Sequence, residues 1–270
     1  MQLELLELIF LSDKRKQLLL FLKDGPKNMD EIKETLDVTS TAILPQIKKL
    51  KEKSLVVQED KNYNLSLIGK VLVEKMQPLV SIIDVFEDNF EYWAERDFQG
   101  IPPYFQKRLG EFRKCKLIQP DLDRMFELDP EIIENFYKSS HILECISYFD
   151  PSLISMCQKL AKSGFKLSFL MSEPVFQRYF KDYLEDFRNM LTLENVKFFL
   201  YSGELRIANL TVTDRFVMIS LFPKNQKHFD RESLISYEPS ALKFGNELFE
   251  ELIRNSIRVT QVPQPFSKKV

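Results

Sequence analysis

The stretch LDVTSTAILPQIKKLKEKSLVV, residues 36–57, reads as a tight turn followed by a helix whose two faces differ in kind. Thr39 stands in the N-cap position before STAILPQIKKLKEK. Ile43, Ile47 and Leu50 share one side of that helix through their four- and three-residue spacing. Thr41, Pro45, Lys48, Lys49 and Glu52 point the other way, and Ala42 and Gln46 lie on the flank. A helix moored by one stripe with the opposite stripe open is what entry into a major groove requires. On this reading Lys48 and Lys49 neutralise phosphates, while Thr41 and Gln46 hydrogen-bond base edges. Pro45 offers only apolar contact, for instance to a thymine methyl. Its missing N–H predicts a distorted first turn or a kink.

Upstream of this stretch, Ser12 and Gly25 bracket DKRKQLLLFLKD as cap and stop, with Pro26 blocking continuation. A short amphipathic helix follows in MDEIKETLDV, with Met29, Ile32 and Leu36 at helical spacing. Downstream, VVQEDKNYNLSL alternates around Glu59, Asp60 and Lys61, which predicts a hairpin of two strands. Three helices and a hairpin are the outline of a winged helix-turn-helix, a DNA-binding domain assigned here to residues 1–75. Two carboxylates against one lysine make the wing tip a poor phosphate binder. The plainer alternative treats Lys48, Lys49, Lys51 and Lys53 as a solvated face. The chain would then be an adaptor in the transcription machinery without sequence-specific DNA binding of its own.

Bulk properties narrow the classes. A formal net charge of −2 gives no global attraction to nucleic acid, so any basic surface must be local. Seven glycines in 270 residues leave little room for a glycine-rich phosphate loop. Cys115, Cys145 and Cys157 are widely spaced and odd in number, against a disulfide framework and for a reducing compartment. Glu4 and Glu7 interrupt the N-terminal apolar run, against a signal peptide. No uncharged stretch approaches the roughly 18–20 residues of a membrane span. The expectation is a cytoplasmic protein with no membrane partner, no cofactor, no metal site and no catalytic residues.

Residues 76–118 read as a helical connector. Leu72, Met76, Leu79, Ile83, Phe86, Phe90 and Trp93 recur at three- and four-residue intervals, and Pro78 is expected to split or bend the run. An apolar face of that length must be buried, and a homodimer does so while presenting two recognition helices to a pseudo-palindromic site. IPPYFQKRLGEFRKCKLI reads as a short bridging helix.

From 119 to 260 the pattern alternates. HILECISYF, FKLSFLM and VKFFLY read as strands; DPSLISMCQKLAKSG, capped by Asp150 and stopped by Gly164, and Pro174 to Leu191 read as helices. LRIANLTVTD and RFVMISLF pair through a turn at Asp214 and Arg215, and SYEPSALKFGNELFEELIRNSI closes the domain as a helix. This predicts an α/β sensing domain with a mainly parallel sheet and later antiparallel pairing, followed by a tail at 261–270. The whole is an α+β multidomain chain. Folds of this class bind ligands beyond the carboxyl ends of their strands. Ser147, Tyr148, Ser172 and Tyr201 stand there as candidates for contact with an unidentified small-molecule effector.

Taken together, IFLSDKRKQLLLFLKDGPKN, IKETLDVTSTAILPQIKKLKEKSLVV, YNLSLIGK, TDRFVMISLF and SALKFGNELFEELIRNS resemble archaeal winged-helix regulators carrying a methanogenesis-regulatory middle domain. The resemblance implies a dimeric transcription factor acting on double-stranded DNA, whose C-terminal domain responds to a signal. That domain also resembles half of a phospholipase D-like fold, whose hydrolases use HxKxxxxD. Setting the Asp on Asp214 puts the His on Ile207 and the Lys on Asn209. Neither can act as nucleophile or cation, so the resemblance implies the fold without the hydrolysis.

Overall fold

The computed structural model describes residues 4–120, 130–225 and 229–261. The expected tail at 261–270 therefore lies outside the described residues, except for its first. The chain divides into two compact units, Met1–Val80 and Ser81–Val270.

The first unit runs α1 (Glu4–Phe10), α2 (Asp13–Phe21), β1 (Lys27–Asn28), α3 (Met29–Leu36), α4 (Ser40–Glu52), β2 (Val56–Glu59), β3 (Asn62–Leu65) and the start of α5 (Leu67–Asp88). Helices followed by an antiparallel β2–β3 hairpin give the element order of a winged helix-turn-helix. The added strand β1 pairs antiparallel with β3. Asn28 ends β1 and caps α3: its carboxamide oxygen accepts the N–H groups of Asp30 and Glu31, and the Glu31 carboxylate accepts the N–H of Asn28. The turn into α4 passes through Asp37 in the left-handed region (φ 49°), a conformation aspartate tolerates better than most residues. After the wing, Ser66 accepts the Gly69 N–H on its hydroxyl and donates that hydroxyl to the Ser54 carbonyl. A Cβ on Gly69 would stand 2.1 Å from the Leu55 carbonyl oxygen, so only glycine lets α5 start this close to β2.

Neither interior proline ends its helix. Pro78 does not split α5, which continues as one helix from Leu67 to Asp88, and α4 likewise runs through Pro45 to Glu52. Both prolines are exposed. The carbonyls four residues earlier, on exposed Thr41 and Glu74, are thereby left to water rather than buried without a donor.

The second unit continues with α6 (Phe90–Glu95), α7 (Pro103–Gln106), β4 (Lys116–Ile118), α8 (Pro130–Tyr137), β5 (His141–Ile146), α9 (Leu153–Lys162), β6 (Lys166–Met171), α10 (Glu173–Asp182), α11 (Leu184–Leu191), β7 (Val196–Tyr201), β8 (Ile207–Thr213), β9 (Val217–Leu221), β10 (Ser233–Ser236), α12 (Pro239–Arg254) and β11 (Ser256–Val259). Its sheet has the order β11-β7-β6-β5-β8-β9-β10-β4. Among the described residues only β5–β6 and β6–β7 pair in parallel and the other strand pairs of this sheet are antiparallel, which corrects the expectation of a mainly parallel sheet. A parallel pair needs a crossover of a dozen residues or so, whereas a tight turn at Asp214–Arg215 can only return antiparallel.

One sheet face packs under α12 together with Val85, Trp93, Ile101, Phe105 and Phe112, so residues after Ser81 in the expected connector belong to this unit's core. A Cβ on Gly245 would meet the Val217 side chain at 2.6 Å, which shows how closely α12 lies on β9. The opposite face packs under α8 to α11 through Ile142, Ile146, Phe169 and Phe198.

Three more helical readings are corrected. Pro174 to Leu191 is two helices, broken at Tyr183 (φ −135°, ψ 40°). The eight residues from buried Tyr179 to buried Phe187 drift about 80° around a straight helix, and the break returns both to the same core. IPPYFQKRLGEFRKCKLI yields the four-residue α7, a 3-10 turn at Leu109–Phe112 and the edge strand β4. Ser152, not Asp150, precedes α9 as N-cap; Asp150 instead accepts the Ser152 N–H and hydroxyl on its carboxylate. All three cysteines are free and buried.

Candidate nucleic-acid interface and effector site

On α4 the inward stripe is closed: Ile43 and Leu50 have no exposure and Ile47 has 2%. The outward stripe carries exposed Thr41, Leu44, Pro45, Lys48, Lys49 and Glu52. Among the described residues neither Lys48 nor Lys49 has an ion-pair partner, whereas Lys51 donates to the wing residue Gln58 at 2.9 Å and Lys53 pairs with Glu4 at 2.7 Å. Two of the four lysines are therefore tied to the domain, and two stand open together. Thr39 occupies the cap position without using its side chain as a cap; its hydroxyl lies 3.0 Å from that of Thr41.

Gln46 is half-buried, and its carboxamide oxygen accepts a hydrogen bond from the Arg15 guanidinium of α2 at 2.7 Å. The same guanidinium reaches the Leu8 carbonyl. Arg15 thus ties α1, α2 and α4 together and fixes how far Gln46 can extend. Residue spacing within α4 carries no sign of this clamp, whose partners lie 31 residues apart. Leu44, 45% exposed and absent from the expected contact set, lies three residues after Thr41 and four before Lys48 on the same stripe, a spacing visible in the sequence. At the wing tip Glu59, Asp60 and Lys61 are all exposed.

In the second unit the parallel register Ile146–Met171–Leu200 places the next residues, Ser147, Ser172 and Tyr201, in one row along the sheet edge. The Ser147 hydroxyl faces the Leu205 and Ile207 carbonyls, at 3.1 and 2.5 Å. Ser172 is buried as the N-cap residue of α10 without a side-chain cap bond. Tyr148 packs against Phe229, ring centroids 4.9 Å apart, under the Arg231 guanidinium. Beneath it, Glu144 is buried on β5 and accepts from the Asn209 amide at 2.5 Å; Thr211 donates to Asn209 at 3.1 Å. Burial pushes the Glu144 carboxyl up to about 7, opposed by hydrogen bonds from Asn209 and Thr211. In the HxKxxxxD register, Ile207 is fully buried and Asn209 is committed to this network. Asp214 accepts the N–H and hydroxyl of Ser140, where it anchors a turn. Among the described residues no His, Cys, Asp and Glu cluster has the makings of a metal site, and no helix is long and apolar enough to cross a membrane.

Two family models match the chain: the N-terminal domain of the methanogenesis regulatory protein FilR1 over residues 3–84, and its middle domain over residues 125–255. A curated relative, methanogenesis regulatory protein FilR1 of Methanothrix harundinacea (strain 6Ac), is 23% identical over 251 residues, covering 91% of this chain. The chain spans 56% of the length of that relative. Among solved structures, TrmBL2, an archaeal chromatin protein described as showing a novel mode of DNA binding, aligns with a TM-score of 0.40 and 11% identity. That alignment covers 95% of this chain and 98% of TrmBL2. Phosphatidylserine synthase of Haemophilus influenzae Rd KW20 aligns over 55% of this chain and 40% of its own, with a TM-score of 0.40 and 13% identity.

Proposed function

The chain belongs to the family of methanogenesis regulatory proteins built from FilR1 N-terminal and middle domains, and from that premise we propose that it is a dimeric, cytoplasmic, DNA-binding transcriptional regulator. Its first unit binds operator DNA and its second unit responds to a small-molecule signal. The observation that carries the reading is the outward stripe of α4, where Lys48 and Lys49 stand exposed beside Thr41 and, among the described residues, without an ion-pair partner, above a closed apolar stripe. Lys48 and Lys49 supply phosphate contacts, and Thr41, Leu44 and Pro45 supply the surface that meets base edges.

Binding measured by gel shift against salt tests this directly. Lys48→Ala and Lys49→Ala each remove one phosphate neighbour, which lowers the log–log slope by roughly 0.9 and weakens binding alike on all sequences. Thr41→Ala instead changes sequence preference. No slope change for either lysine removes both from the interface. The exposed Leu44 and Pro45 with the acidic wing tip favour one second reading, an adaptor that docks a protein of the transcription machinery. Selection from random duplexes separates the two: an enriched palindrome supports the regulator, and no enrichment supports the adaptor.

A further inference from the structure

The second unit contains a cleft of about 530 Å³ lined by Arg96, Asp97, Gln99, Gln106, Arg206 and Lys224. None of these belongs to the strand-end row of Ser147, Ser172 and Tyr201. Main-chain pairing builds the cleft: the Asp97 N–H donates to the Phe222 carbonyl and the Lys224 N–H to the Glu95 carbonyl, each at 2.8 Å, with Arg96 bridged to Pro223. The third wall comes from the loop before β8. A Cβ on Gly100 would stand 2.5 Å from the Arg206 carbonyl oxygen, so this loop rests directly on the segment after α6.

The polar groups are unevenly satisfied. Arg96 is 1% exposed and lies over the Tyr92 ring at 4.3 Å; its two terminal nitrogens pair with Asp230, at 2.6 Å, and Glu232. Its Nε–H, buried as well, has no acceptor among the described residues. A buried donor without an acceptor is rare and costly. Asp230 and Glu232 are not among the lining residues, so among the described residues the lining charges other than the paired Arg96 are Arg206 and Lys224 against the carboxylate of Asp97. Arg206 is steered by Asp97 at 3.7 Å and by Gln99, and its pairing with Glu204 is on the surface, where Glu204 is 69% exposed. An exposed pair of this kind contributes little and yields to a better anion. Lys224 Nζ donates to the Ala94 carbonyl at 2.6 Å, which leaves its charge uncompensated by that contact.

We propose that this cleft binds a small organic anion, carrying carboxylate or phosphate groups, held by Arg206 and Lys224. Its volume falls within the range of small-molecule sites. The assignment deepens the regulator reading by giving its signal a chemistry. Binding is measured on the protein without DNA, so failure here leaves the α4 interface untouched.

The test is calorimetric titration of the full chain in dilute chloride buffer with inorganic phosphate, pyrophosphate and citrate. At least one probe binds the wild type, and Arg206→Gln and Lys224→Gln each weaken it about tenfold or more. Lys138→Gln, an exposed change in the turn after α8, does not. Binding of the phosphates without citrate identifies a phosphate ester as the class of ligand, and the converse identifies a polycarboxylate. Absence of binding by all three at roughly 10 mM, or undiminished binding in the double Arg206→Gln, Lys224→Gln variant, overturns the assignment. Melting temperatures of each variant in chloride verify that it is folded.

Discussion

Glu144 lies opposite Thr211 in the β5–β8 register, with its carboxyl facing the layer of α8 to α11 and, among the described residues, no cation bonded to it. Tyr148, Asp150 and Cys157 are its titratable neighbours, and Arg231 is engaged with Tyr148 and Asp150. Its folded-state pKa, raised to about 7 by burial, stands above the ordinary 4.5. A carboxyl raised in this way contributes stability below the ordinary value and loses it as pH rises through 7. Glu144→Gln keeps the acceptor for Asn209 and removes the charge. Urea denaturation from pH 5 to 8 should therefore show the wild type losing on the order of 2–4 kcal/mol relative to the variant. Parallel pH curves would discard this account. At the same scale, the mooring of α4 was legible because Ile43, Ile47 and Leu50 repeat with the helix. The Arg15–Gln46 clamp was not, because it joins positions 31 residues apart and has no local signature.

Elements were legible in proportion to their length and regularity. Strong periodicity marked α4, α5 and α12, and alternation or apolar runs marked β5 to β9. The short edge strands β1, β4 and β11 and the buried β10 were missed, since two to four residues carry too little pattern and take their shape from a neighbour. The reciprocal cap at the start of α3 is local, in contrast, and its worth is testable. Asn28→Ala removes the acceptor for two backbone donors and should cost about 1 kcal/mol in chemical denaturation of the first unit, with a range of roughly 0.5–2. Asn28→Asp should keep most of that stability, which separates loss of the cap from any disturbance of β1. An unchanged midpoint for Asn28→Ala would mean that water replaces the cap at no cost.

For the whole molecule, the sequence stripe proposed for dimerisation divides. Met76 and Trp93 are buried within their own units, whereas Leu79 and Phe90 remain 51% and 67% exposed and Ile83 38%. Large apolar side chains open to water along α5 support a second copy as their cover. If α5 forms the proposed dimer face, Leu79→Glu combined with Ile83→Glu should leave a folded monomer in sedimentation velocity and weaken the proposed DNA binding. A wild-type monomer at micromolar concentration, or a dimer indifferent to both changes, argues against that face. Residues within a few positions of one another were enough to specify the regulator-like order of helices and hairpin, the moored stripe of α4 and the alternation of the second half. The antiparallel majority of the sheet, the enclosure of Glu144 and the meeting of Arg96, Arg206 and Lys224 came only with the folded chain. Each of those joins segments far apart along the chain, and the free energy that brings them together is the burial of the two sheet faces rather than any local preference.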